Sequence, residues 1–222
     1  MNVEINHTEK YVNEKISPNG HIFIYLSIIN FFIAYLADQY IFSREFYYTI
    51  FSDQMELTRI DQYVDLISRF SFWSLFLVPV FLFVRYTVVA FLLQIPLLFM
   101  FIEISFKYLF RWVMLASIFL TIGDTIHLLN IYFTSSENIT PTQFMITPFS
   151  LATIINPQAY ASLAILILNH FNLFDILWGI TLYIGLLKTA KLNKINTVLL
   201  VAYVWIFFIL VELIVVFFLE NF

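Results

Sequence analysis

Long apolar runs separated by short polar breaks dominate the chain, and the runs are far longer than an amphipathic surface helix would show. A hydrocarbon core of about 30 Å needs about 20 consecutive apolar residues of helix. The pattern predicts six such spans, at 22–42, 68–84, 86–106, 108–133, 161–187 and 195–219. Residues 1–20 form a polar tail in which Glu4, Glu9 and Glu14 alternate with Lys10 and Lys15, closed by the turn cluster Ser17, Pro18, Asn19 and Gly20. The tail lacks the basic start and short apolar run of a signal peptide, so it is expected to be retained. In 43–67, charged and apolar residues mix, and Tyr63, Leu66, Ile67 and Phe70 recur at helical spacing. That segment is expected to lie at the interface as an amphipathic element leading into the second span. The domain reading is a tail over 1–20 and a transmembrane helical domain over 21–222.

The stretch 70–106 admits two solutions. As one helix it would be about 55 Å long, well beyond the hydrocarbon thickness. Arg85 interrupts it, with Pro79 and Pro96 on either side. A hairpin turning at Arg85 gives six spans; a single tilted, kinked helix gives five.

Composition strengthens this reading. The 222 residues are 61% hydrophobic and 12% charged, with mean hydropathy +0.87, whereas soluble domains carry about twice that charge. The fold class expected is therefore all-α, a polytopic integral membrane helix bundle. The 27 Phe, 13 Tyr and 4 Trp suit lipid contact and interfacial belts. A net charge of −4 with 11 Lys+Arg argues against a nucleic-acid partner. With no Cys, disulfides, thiolate metal sites and thiol nucleophiles are excluded.

Basic residues in short loops set orientation. With six spans, Arg44, Arg59, Arg69, Lys107, Arg111, Lys188, Lys191 and Lys194 share one side, opposite Lys10, Lys15 and Arg85. With five spans the N-terminus changes side and Arg85 stays in the membrane. Both versions expect Lys107, Arg111 and Lys188–Lys194 in the cytoplasm, with the loop 134–157 and the C-terminus outside. The Phe144–Ile155 part of that loop is apolar enough to lie on or dip into the membrane.

Three segments carry a family resemblance. ISFKYLFRWVMLA over 104–116 looks like the entry into a middle helix of Yip1-type membrane proteins. PFSLATII over 148–155 resembles their loop before the penultimate helix. NHFNLFDILWGITLYIGLL over 169–187 resembles their penultimate helix, followed as usual by a basic loop and a final helix. The resemblance spans about residues 70–220, and its specificity lies in the order and spacing of the segments. It implies a Yip1-like core and an adaptor role in membrane traffic. The short tail departs from the longer cytosolic region of eukaryotic members, which puts GTPase contact in doubt. The bias toward Phe, Ile and Asn favours a bacterial inner-membrane member.

Polar groups inside spans are costly and raise a functional question. Asp124 and His127 share a helix face at i, i+3, about 9–14 Å from the end of their span. Asn169 and His170 lie at similar depth in the next span, and Glu212 about 10 Å from the end of the last. Asp124, His127, His170 and Glu212 are therefore the candidates for a proton path or a divalent metal such as zinc. The plainer alternative is pairwise hydrogen bonding that locks helices at about 0.6 kcal/mol each. Asn172 and Asp175 sit deeper and read as helix–helix hydrogen-bonding groups. Arg85, if it is in mid-membrane, needs a carboxylate such as Asp38 or Glu212. Lys188, Lys191 and Lys194 suit anionic lipid headgroups as well as topology. Gly179 and Gly185 read as packing positions.

No nucleotide loop, HExxH helix or GxSxG elbow occurs. The expectation is a non-enzymatic membrane adaptor or assembly subunit of Yip1 type, with no cofactor, no nucleic acid and no nucleotide, whose partners are other membrane proteins and lipids. The alternative is a small transporter or channel subunit passing a cation or proton past the polar cluster. An intramembrane metalloenzyme is the third reading.

Overall fold

The computed structural model of the protein describes residues 19–51, 55–134, 146–155, 162–189 and 191–221. The polar tail over 1–18 and most of the loop 134–157 lie outside the described residues. Seven α-helices follow in order: α1 (Asn19–Tyr40), α2 (Arg44–Phe51), α3 (Leu57–Phe99), α4 (Phe106–Phe133), α5 (Ser162–His170), α6 (Leu173–Leu187) and α7 (Lys194–Asn221). A short 3-10 turn, Leu151–Ile154, precedes α5. No strand occurs among the described residues; there is one isolated bridge, between Ser150 and Asn172.

Four of the helices, α1, α3, α4 and α7, are long and apolar enough to cross a membrane. Helix α6 is apolar but shorter. Together, α5 and α6 occupy the run expected as one span over 161–187, broken at Phe171 and Asn172.

The largest departure from expectation is α3. It runs unbroken for 43 residues, straight through Arg85 and containing both Pro79 and Pro96, and so spans about 64 Å. The hairpin with spans 68–84 and 86–106 is therefore absent, and the single-helix alternative describes this stretch. Continuity through Arg85 keeps the backbone N–H and C=O groups of this apolar stretch paired within one segment. The flanking Val84, Tyr86 and Thr87 also lack turn chemistry. The chain reverses instead after Met100, where Phe101 takes φ 55°, the Ile102 amide donates to the Leu97 carbonyl at 3.0 Å and Gln94 Nε2 donates to the Ile104 carbonyl at 3.2 Å.

The polar segment before the apolar part of α3 is helical, as its periodicity predicts. Helix α2 lies against the start of α3, where Arg44 bridges Asp61 at 3.1 Å and Asp65 at 2.6 Å. Asp61 also accepts from the Tyr48 hydroxyl. These charges are exposed, so the network orients α2 more than it stabilises the fold.

The core lies between α3, α4, α6 and α7, around buried Leu93, Leu97, Leu109, Met114, Leu182 and Val204. Helices α4 and α6 pack antiparallel and closest. A Cβ on Gly185 would lie 2.3 Å from the Trp112 ring, and one on Gly123 would lie 2.8 Å from Phe174. Tyr108 adds a hydrogen bond from its hydroxyl to the Gly185 carbonyl at 2.8 Å. Helix α1 runs antiparallel to α3 and adds Leu26 to this core: Phe23 meets Phe83, and Phe31 meets Phe76. Asn30 Nδ2 donates to Thr121 of α4 at 3.2 Å, and Ser71 donates to Asp38.

A polar cleft at a broken helix

The break between α5 and α6 is built by asparagines. Asn172 adopts extended backbone and caps α6, its side-chain oxygen accepting from the amides of Phe174 at 2.9 Å and Asp175 at 2.8 Å. A side-chain acceptor there satisfies amides that have no partner within the helix. Its Nδ2 donates to the Asn169 carbonyl at 2.8 Å and to Asp175 Oδ2 at 2.9 Å. Asn169 Oδ1 accepts from the Thr147 amide at 3.1 Å and the Ser150 hydroxyl at 3.2 Å. The segment 146–155 thereby docks on the break. Two backbone bonds complete the attachment, from Leu151 N to the Phe171 carbonyl at 3.1 Å and from Leu173 N to the Phe149 carbonyl at 3.3 Å. Ser150 and Asn172 are both buried. Unwound backbone within an apolar segment is tolerated where protein buries it or where it lines a cavity, and here its polar groups find protein partners.

His170 ends α5, and Asp175 sits in the first turn of α6. The Asp175 carboxylate suits the helix N-terminus that carries it, and a protonated His170 would suit the C-terminus. The imidazole lies between two carboxylates: Nδ1 is 3.5 Å from Asp175 Oδ2, and Nε2 is 2.7 Å from Glu212 Oε2 of α7. Only the doubly protonated ring donates to both at once. His170 and Asp175 are largely enclosed, while the Glu212 side chain is 53% exposed.

These three residues open into a cleft of about 380 Å³ between α3, α4, α6 and α7, whose walls also include Arg85, Ser117, Trp178 and Trp205. Arg85 is the sole charged residue between Phe70 and Phe99. It is exposed on α3 and has no ion pair or hydrogen bond with the described residues. The Nε1 of Trp205 is buried without a hydrogen-bond partner among the described residues.

The expected candidates therefore separate. His170 and Glu212 meet directly. Asp124 and His127 both stand on α4, but the described residues contain no group of three or more His, Asp or Glu side chains placed to hold a metal ion. Asp175, read from sequence as a structural hydrogen-bonding group, belongs to the cluster, as does Arg85. The i, i+5 spacing of His170 and Asp175 does not mark them as neighbours on a continuous helix; the break brings them together. Of the three lysines assigned to lipid, Lys188 lies 5.0 Å from the Trp112 ring centroid and Lys191 donates to the Glu103 carbonyl at 2.7 Å. Both tie the end of α6 to α4 and to the loop before it.

No protein-family model matches the chain, and neither a curated protein nor a solved structure matches it.

Proposed function

We propose that the protein is a small transporter or channel subunit, in which a cation or proton passes the His170, Asp175 and Glu212 cluster. The observation that carries this reading is the cluster's position at an interrupted apolar helix beside a cleft. Discontinuous helices whose ends face charged groups are the usual construction of ion and solute sites in membrane transporters. Ionisable groups within apolar segments are costly unless they serve such a site. Helix α3, running unbroken through Arg85, favours a topology of five crossings, with α5 and α6 together forming the fourth. With five crossings, the basic-residue bias favours the N-terminus, Lys107, Arg111 and Lys188–Lys194 in the cytoplasm and the C-terminus outside. A bacterial inner membrane is the setting that the compositional bias favours. We assign no enzymatic activity and no resident metal or cofactor.

The test is reconstitution of the purified chain in vesicles, with pH-sensitive dye and cation-flux readouts. His170→Ala and Glu212→Gln should each cut flux at least about tenfold while the protein still elutes as a folded species. Flux that is unchanged in both variants would refute the reading.

One observation favours an adaptor as the second reading. Helix α3 is about twice as long as the hydrocarbon core is thick, so its polar start, with α2 held on it by Arg44, is offered to partners. A Yip1-type role rests on the three motif segments. Co-purification from native membranes would return a stoichiometric membrane partner if this reading holds.

A further inference from the structure

We infer that the cleft takes the head of a zwitterionic amphiphile with a primary amine, the phosphate on Arg85 and the ammonium on Glu212. The inference rests on the cation-site reading above and names the cation. Arg85 supplies a guanidinium without a bonded anion among the described residues, in the apolar 70–99 part of α3, a fork suited to phosphate oxygens. Glu212 commits one oxygen to His170, and its half-exposed carboxylate keeps the other for a donor. Carboxylate acceptors select an ammonium that carries N–H groups over a quaternary one.

The tail has a place as well. An apolar groove of about 320 Å³ runs between α6 and α7, past Gly179, Ile180, Val198 and Ala202. It shares Asp175, Trp178 and Trp205 with the cleft, so a charged recess and an apolar channel have a common wall. Gly179 leaves that channel open, since a Cβ there would meet only Val201 at 3.5 Å. Both signs of charge beside an apolar groove match an amphiphile better than a free ion, and the unpartnered Trp205 Nε1 is a spare donor for the head.

The experiment is native mass spectrometry of the full chain, delipidated in detergent and then titrated with phosphatidylethanolamine, phosphatidylglycerol or phosphatidylcholine of matched acyl chains. The ethanolamine lipid should be retained about tenfold better than either of the others. Glu212→Gln should abolish the preference, Arg85→Gln should weaken retention of all three lipids because the phosphate is common to them, Arg85→Lys should keep most of that retention, and Gly179→Leu should weaken all three as well. Equal retention of the three by the unsubstituted chain would overturn the inference. So would a preference for the glycerol lipid that only Arg85→Gln removes, retention that Arg85→Gln leaves unchanged, or an ethanolamine preference that survives Glu212→Gln. Running the flux assay in vesicles of phosphatidylglycerol and phosphatidylcholine separates the two readings. His170-dependent flux with no lipid preference sinks the amphiphile and leaves the cation path, whereas loss of both sinks both.

Discussion

His170 and Glu212 meet at 2.7 Å although 42 residues separate them in the chain, joining the end of α5 to the middle of α7. Removing the ring leaves Asp175 and Glu212 without the imidazole between them. His170→Ala should therefore destabilise the fold by about 1–3 kcal/mol, less any screening at the exposed Glu212. His170→Ala combined with Glu212→Gln should recover part of the loss. Thermal unfolding in detergent measures both, and a double variant no more stable than the single one would contradict the pairing.

The contact between Gly185 and Trp112 is tighter than any real Cβ allows. Gly185→Ala should push the ring away or separate α4 from α6, costing about 1–3 kcal/mol. Gly20→Ala is the matched control, because nothing lies within 4 Å of that position. A lower melting temperature for Gly185→Ala alone is the expected outcome.

Asn172 holds the start of α6 through two amides and the end of α5 through one carbonyl. Asn172→Ala should cost about 1 kcal/mol through the lost cap and release the docked segment 146–155. Hydrogen exchange should then accelerate at the amides of Phe174, Asp175 and Leu151. Exchange that quickens only at α5 would place the anchor elsewhere.

Outside the spans, the hydrogen bond to Asp61 holds the Tyr48 hydroxyl protonated above the usual tyrosine range, with smaller contributions from desolvation and the Asp61 charge. A raised pKa in the folded state means that the folded chain holds this proton more tightly. The associated stabilisation is present below the ordinary tyrosine value and is lost as pH rises through the raised one. Asp61→Asn should move the Tyr48 transition back toward lower pH in an ultraviolet titration. An unmoved transition would show that the contact is not made in solution.

Much of the fold was legible in the residue pattern. The boundaries of α1, α4 and α7 follow the apolar runs closely, since hydropathy over about 20 residues reports a property each helix has by itself. The periodicity of Tyr63, Leu66, Ile67 and Phe70 likewise revealed the helical approach to α3. His170 and Glu212 were found because polar groups stand out in apolar runs.

What the sequence determined by itself, then, is an all-helical chain with apolar segments long enough to cross a membrane and a few costly polar groups within them. Tertiary structure decided which of those groups meet. Continuity of α3 through Arg85 depends on whether lipid or protein surrounds a possible turn, and residue order does not encode that surrounding. The backbone freed at Phe171 and Leu173 is paired by the Leu151 amide and the Phe149 carbonyl, while Thr147 and Ser150 hold the Asn169 side chain, so the break depends on a distant segment docking. That break turns Asp175 toward His170, and the antiparallel packing of α6 and α7 carries Glu212 to the other side of the ring. The register between helices is set by close contacts such as Gly185 on Trp112 and Gly123 on Phe174. Such contacts depend on the shapes of two surfaces at once, which is why the polar cleft is a property of the packed bundle and of no single segment.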